Sequence, residues 1–252
     1  MRILSYNIHK GIGGRDRRYR LGRILAVIEA ENPDIVCLQE VDRNVRRSRY
    51  HDQPQLLADY FGNLERIYQM NVRLSEGGYG NLLLSRWPLK SHHHVSLRHL
   101  ERKPRGAQLA VIETPEGLLH VVHWHLGLAE RERRWQVAHV MAHTLFHAAE
   151  NLPTLLIGDS NDWRNRLARG VFEPNGFQHV TAPVSRFRTF PSYLAMGSLD
   201  KAFVRGGIHV RHVRVVRTKL AKTASDHLPL IVDFHLAAGR NTASDNGGLS
   251  AR

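Results

Sequence analysis

Residues 155–163, LLIGDSNDW, run three apolar side chains into a glycine and then set Asp159, Ser160, Asn161 and Asp162 side by side. Polar residues close other apolar runs in the same way. Asn7 follows the run 3–6, Gln39 and Glu40 follow 35–38, and His123 and His125 close the run that begins at 119. Two runs show the reverse order, with Asp200 ahead of 202–204 and Asp226-His227 ahead of 228–232. Glu40 and Asp226 are hard oxygen donors, and with no cysteine or close histidine pair beside them they suit Mg²⁺ or Mn²⁺ better than structural zinc. Histidine and aspartate in one site supply a general acid and base, and amides can hold phosphate oxygens without adding repulsive charge. Together these groups describe metal-assisted hydrolysis of a phosphate ester. Singly, each reads as a turn or cap residue, and Asp162 is expected to be a helix cap.

Strand-length apolar runs at 3–8, 35–38, 81–84, 110–114, 119–123, 154–157, 202–204 and 230–234 alternate with helical periodicity at 21–31, 54–61 and 130–149. Pro33 stops the first helix, because proline restricts the residue before it. In antiparallel neighbours the end of one strand lies beside the start of the next. One sheet edge is therefore expected to gather Asn7, Glu40, His125, Asp159, Asn161, Asp200, Asp226 and His227. Asp159 and Asn161, two apart in extended chain, are expected to face the same way, with Ser160 pointing elsewhere.

The 252 residues, 42% hydrophobic, fit a single domain over 1–236, followed by a polar tail over 237–252 that reads as disordered. No apolar run approaches the ~18 residues of a membrane span, and the N-terminus lacks a signal-peptide core. A cytoplasmic monomer without stable membrane insertion is expected. Cys37 reads as a buried small hydrophobe, and one cysteine allows no internal disulfide. Lys and Arg number 36 against 23 Asp and Glu, a formal charge of +13 that favours nucleic acid or an anionic membrane surface as partner. The arginines cluster at 15–23, 43–49 and 98–105. The run His92-His93-His94 reads as a solvated loop, with a secondary transition-metal site as its alternative.

The ordered motifs NIHKG, DIVCLQEV, GNLLLSRWPL, HWHLGL, IGDSNDW, SLDKAFV and SDHLPL resemble those of the endonuclease/exonuclease/phosphatase (DNase I-like) superfamily, in its short bacterial subgroup. The likeness covers residues 1–234. It implies an α/β fold, a four-layer α/β sandwich of two facing, mainly antiparallel β-sheets flanked by helices. It implies that Glu40 is the principal Mg²⁺ or Mn²⁺ ligand, helped by Asn7 and Asp226. Asp159 would activate water, Asn161 would grip a phosphate oxygen, and His227, aligned by Asp200, would stabilise the transition state or protonate the leaving group. His125 would lie near the phosphate, and Arg105 and Asn81 would contact substrate. With the charge, this points to a metal-dependent phosphodiesterase of nucleic acid, a DNA endo- or exonuclease with little sequence preference. Phospholipid or a small phosphoester is the alternative substrate, and a non-catalytic nucleic-acid-binding protein the alternative class. A basic groove formed by clusters 15–23 and 43–49 beside the metal would favour nuclease, and an apolar rim would favour lipid. No long hydrophobic insertion is visible, and the inositol 5-phosphatase signature is absent.

Overall fold

The computed structural model describes residues 1–62 and 64–237. The tail expected over 237–252 therefore lies, from residue 238 on, outside the described residues. In chain order the strands are β1 (Arg2–Asn7), β2 (Ile35–Arg43), β3 (Glu65–Arg73), β4 (Gly78–Ser85), β5 (Leu89–Ser96), β6 (Gly106–Thr114), β7 (Gly117–His125), β8 (Thr154–Asp159), β9 (Gln178–His179), β10 (Asp200–Arg205), β11 (Ile208–Val215) and β12 (Leu230–Leu236). The helices are α1 (Leu21–Glu31), α2 (Gln53–Tyr60), α3 (Glu130–Met141), α4 (Thr144–Ala148) and α5 (Ala221–Ala224).

These strands form two six-stranded sheets, ordered β11-β12-β1-β2-β4-β3 and β5-β6-β7-β8-β10-β9. Pairing is antiparallel except for β1 with β2 and β7 with β8. Apolar residues of the facing sides, including Ile3, Leu83, Val121, Leu155 and Ala202, share one core with Leu4 and Leu82 on the other face of the first sheet and with α1 and α2. A second core packs Val122, Trp124, Leu156 and Phe203 from the other face of the second sheet against Val137 and Val140 of α3 and against Phe172 and Phe177. The four layers are thus helices, sheet, sheet and helices. Among the described residues no helix is long and apolar enough to cross a membrane.

Local sequence explains the helix ends. The Asp52 carboxylate accepts the Gln55 N–H at 3.1 Å and Pro54 sits in the first turn, both common starts for a helix such as α2. Helix α1 closes on Asn32 in the left-handed conformation, just ahead of Pro33. The helix expected over 130–149 is two helices. Their break falls at His143, whose backbone is extended and whose Nδ1 accepts the Leu145 N–H to start α4. His92, His93 and His94 lie on strand β5 rather than in a loop. The four strands that apolar runs did not reveal, β3, β5, β9 and β11, are the four outer strands of the sheets.

A polar seam joins the sheets inside the core. The His123 ring is wholly buried, with Nε2 2.7 Å from the Gln39 Nε2 and Nδ1 2.8 Å from the Gln108 Oε1. The Gln39 amide can only donate and the Gln108 oxygen can only accept, so the ring is neutral and protonated at Nδ1. Burial holds its pKa down to about 3. A histidine in unfolded chain titrates near 6.5, so below that pH the unfolded chain gains a proton that the native ring refuses, and acid removes stability. His123→Gln removes this titration. Between pH 7 and pH 5 the wild type should lose about 2 kcal/mol relative to the variant in urea unfolding. Parallel profiles would contradict the neutral buried ring.

Candidate active site

The parallel pairs bring the C-terminal ends of β1 with β2, and of β7 with β8, to one edge of the sandwich. Antiparallel pairing brings the start of β10 to the end of β8, so that Asp200 lies opposite Asp159. The same rule puts the loop before β12 beside the end of β1. The eight residues expected at one edge are gathered there.

Asp159 lies at the centre and is buried. Its Oδ2 accepts the Asn7 Nδ2 from the other sheet at 3.0 Å, and its Oδ1 accepts the Asn161 N–H at 3.0 Å. The His125 Nε2 stands 3.4 Å and the His227 Nε2 3.8 Å from Oδ2. Burial raises the Asp159 pKa and the nearby Asp200 charge adds to this, while His227 and the two hydrogen bonds work against it. His227 holds Asp200 Oδ2 at 2.9 Å through Nδ1. Burial alone would strip its proton, but Asp200 and then Asp159 outweigh that and push its pKa well above the usual histidine value. The ring is thus an imidazolium between two carboxylates.

The convergence of Asp159 and Asn161 has a different cause from the one expected. Asn161 is not extended but left-handed, with φ 48°, and the turn folds its N–H back onto the Asp159 carboxylate. Gly158 permits this, because a Cβ there would come within 2.1 Å of the Trp124 carbonyl oxygen. Ser160 points away and accepts the Trp124 indole N–H at 3.2 Å. Asp162, expected to cap a helix, accepts the Leu167 N–H at 2.9 Å from five residues away, while the helix that follows has no side-chain cap at its N-cap position.

Glu40 sits at a bulge in the pairing of β2 with β4 and is left-handed, with φ 58°. The extra residue turns its carboxylate out of the strand alternation and into the edge. Burial alone would raise its pKa, yet Lys10, Lys103 and His9 hold it down to about 2. The Lys10 ammonium is ion-paired with it. Asp226 faces the His9 Nε2 at 3.8 Å, and Ser225 beside it donates to the Asn7 carbonyl oxygen at 2.7 Å. Gly14 lies so close that a Cβ would meet the Asp226 Cα at 2.6 Å, so the loop after β1 closes over this carboxylate only with glycine. Among the described residues no three His, Cys, Asp or Glu side chains are placed to hold one ion. The oxygen donors are two carboxylates and an amide, and both carboxylates already face cationic or ionisable side chains. That donor set fits a hard divalent cation.

Arg105 is buried, 6% exposed, and has no carboxylate within 4 Å among the described residues. Its Nη1 donates to the His125 Nε2 at 2.8 Å, and its Nε is buried without a partner. His125 is accordingly neutral, its pKa depressed by burial and then by Arg105. Asn81 is wholly buried; its Nδ2 donates to the Gly106 carbonyl oxygen at 2.9 Å, bracing the strand start that carries Arg105, and its Oδ1 is buried without a partner among the described residues. Sequence reasoning missed Lys10, Arg47 and Lys103, whose cations lie 5.5, 5.0 and 5.2 Å from the centre of the Tyr79 ring. Lys10 stands inside the NIHKG motif, three residues after Asn7, which was the available signal. The others belong to clusters whose direction only the fold shows.

The Endonuclease/Exonuclease/phosphatase family model matches residues 4–227. The protein YbhP of Escherichia coli (strain K12) is 29% identical over 246 residues, which cover 93% of this chain and 96% of that protein. The crystal structure of an endonuclease/exonuclease/phosphatase from Beutenbergia cavernae superposes with a TM-score of 0.76 at 21% identity, covering 94% of this chain and 72% of that one. The mannosyl-6-phosphatase Bt3783 of Bacteroides thetaiotaomicron superposes with a TM-score of 0.70 at 16% identity, covering 93% and 99%. At these identities the structural likenesses show the shared fold.

The buried imidazolium has a direct signature. In proton NMR the His227 ring should titrate well above the ~6.5 of a free histidine, and Asp200→Asn should lower that midpoint by at least about one unit. An ordinary midpoint in the wild type would contradict the carboxylate–imidazolium–carboxylate arrangement.

Proposed function

The chain belongs to the endonuclease/exonuclease/phosphatase family, whose members are phosphoester hydrolases that generally depend on a divalent metal, and on that premise we propose that it is a divalent-metal-dependent phosphodiesterase acting on an extended polyanion. The observation that carries the reading is Asp159, a buried carboxylate of raised pKa with His227 within 3.8 Å on one side and the Asn7 amide at 3.0 Å on the other. Glu40, Asp226 and the Asn7 oxygen would hold Mg²⁺ or Mn²⁺, which when bound polarises the phosphoryl oxygen and neutralises its charge.

The chain's own groups divide the remaining work. Asp159 orients a water and takes its proton on a carboxylate oxygen, which its raised pKa favours. His227, protonated and held by Asp200, gives the Nε2 proton to the leaving oxygen. The Asn161 amide donates one N–H to the Leu126 carbonyl oxygen, and its second N–H would be the donor to a non-bridging oxygen. Arg105, a buried cation with no carboxylate within 4 Å among the described residues, takes another. Such preorganised donors typically supply the largest share of rate enhancement.

Substrate size follows from shape and charge. A groove of about 480 Å³ runs beside Arg105 past Arg73, Arg98 and Asn71, and the loops carrying clusters 15–23 and 43–49 follow β1 and β2 at the same edge. This favours a long or surface-bound phosphodiester over a small enclosed one. Nucleic acid, the partner expected from charge, and phospholipid both answer that description. With every acid, base and donor type in place, the non-catalytic reading has no observation in its favour.

Asp159→Asn is close in shape and removes the base. Supercoiled plasmid and phosphatidylglycerol vesicles, each incubated with Mg²⁺, Mn²⁺ or EDTA, provide the assay. Turnover of at least one substrate should require metal and fall by about 10²–10⁴-fold in the variant. Turnover that survives in the variant would remove Asp159 from its role, and inert substrates in every condition would overturn the phosphodiesterase reading.

A further inference from the structure

Eight loops form the catalytic edge, at residues 8–20, 44–52, 74–77, 97–105, 126–129, 160–167, 180–199 and 216–229. They hold 19 of the 36 Lys and Arg but 6 of the 23 Asp and Glu, so their formal charge of +13 equals that of the whole chain. The rest of the molecule is formally neutral. The same loops carry exposed apolar tips. Leu74, Leu100 and Leu128 crown three of them, the last two 75% and 71% exposed. Trp163 and the trio Tyr193, Leu194 and Met196 crown two more, with Leu194 61% exposed. The exposed large apolar side chains away from this edge lie on helices, at Leu56, Tyr60, Trp135 and Leu145, and the turns of the opposite edge show none among the described residues.

A single exposed leucine is ordinary. Apolar tips on separate loops, all at the edge that also carries the whole charge excess, are not, and they differ from what nucleic acid asks for. Nucleic acid is met by cations and by flat aromatic rings on which bases stack. Leucine and methionine tips give bases no ring to stack on and serve nucleic acid only as wedges between base steps, and in water they expose hydrocarbon at a cost. A bilayer with anionic headgroups uses both features, since basic side chains meet the lipid phosphates while apolar and aromatic tips enter the boundary between headgroups and acyl chains. The apolar patch also reaches the catalytic centre. The Trp163 ring packs edge-on against Phe190 at 5.9 Å, and Phe190 lies 4.9 Å from the His227 ring.

We propose that the catalytic edge docks on an anionic lipid bilayer and that the phosphodiester presented to it is that of a phospholipid headgroup. The loops touch the surface at separate points, the cations fix the orientation, and the cleft faces the headgroup layer without extracting a lipid. No insertion hairpin is needed, because the apolar area is divided among the loops. The substrate part of this inference rests on the phosphodiesterase reading above, whereas docking does not.

The test uses the full chain in EDTA, sedimented with phosphatidylglycerol-containing vesicles and with pure phosphatidylcholine vesicles. The wild type should bind the anionic vesicles and not the neutral ones. The double variant Leu100→Asn, Leu194→Asn should bind the anionic vesicles at least about tenfold more weakly, while binding duplex DNA within about twofold of wild type and retaining wild-type turnover of a soluble phosphodiester. Failure to bind anionic vesicles would overturn the proposal. So would vesicle binding equal in the two proteins and as salt-sensitive as DNA binding, which would mark simple polyanion attraction. Vesicle binding without metal-dependent cleavage of any phosphodiester would leave docking standing and sink the reaction. Cleavage of plasmid but not of vesicle lipid would do the reverse for the substrate.

Discussion

Burying the Asp159 carboxylate is the constraint around which the edge is built. An ionised carboxylate out of water is costly unless every lone pair finds a partner. Its partners come from different parts of the chain: an amide from β1 in the opposite sheet, a backbone N–H from the turn after β8, and histidines from β7 and from the loop before β12. These contacts tie the strand ends of the two sheets together at one place. The His123 seam makes a second tie deeper in the core. A pair of buried charges replaced by well-packed hydrophobes is often no less stable, so this arrangement is better understood as serving chemistry than as serving stability.

The same electrostatic logic divides the edge in two. On one side Glu40 is held as an anion by Lys10, and Asp226 faces His9. On the other, Asp200 keeps the proton on His227 against the cost of burial, while burial and then Arg105 keep the proton off His125. Two histidines about equally buried, both near Asp159, thus take opposite charge states because one also bonds the Asp200 carboxylate and the other accepts from the Arg105 guanidinium. Proton donor, proton acceptor and anion trap are set by neighbours, with residue type supplying only the range.

The eight inner strands were legible in the sequence because a strand flanked on both sides shows an apolar run. The four outer strands were not. β5, LKSHHHVS, leaves nearly all of its side chains in water, and β11 mixes histidine and arginine with its valines. Residue identities at the centre were equally legible, since few types can serve there, but their geometry was not. Neither the left-handed Glu40 at its bulge nor the turn at Asn161 follows from propensity, because the fold imposes both against local preference. Asn81 opens an apolar run, where an amide looks alike whether it meets substrate or braces a neighbouring strand. The apolar loop tips were invisible for another reason. Leu100, Leu128 and Leu194 are far apart in sequence and each is unremarkable where it stands; only the arrangement of the strands puts them on one edge.

The central claim is that this edge adds water to phosphorus with the help of a divalent metal. Hydrolysis of bis(4-nitrophenyl) phosphate in ¹⁸O-labelled water with Mn²⁺ tests it without presupposing a natural substrate. The account predicts release of nitrophenol that EDTA abolishes, with one ¹⁸O in the nitrophenyl phosphate product and none in the nitrophenol. Label in the nitrophenol, or release indifferent to EDTA, would contradict it.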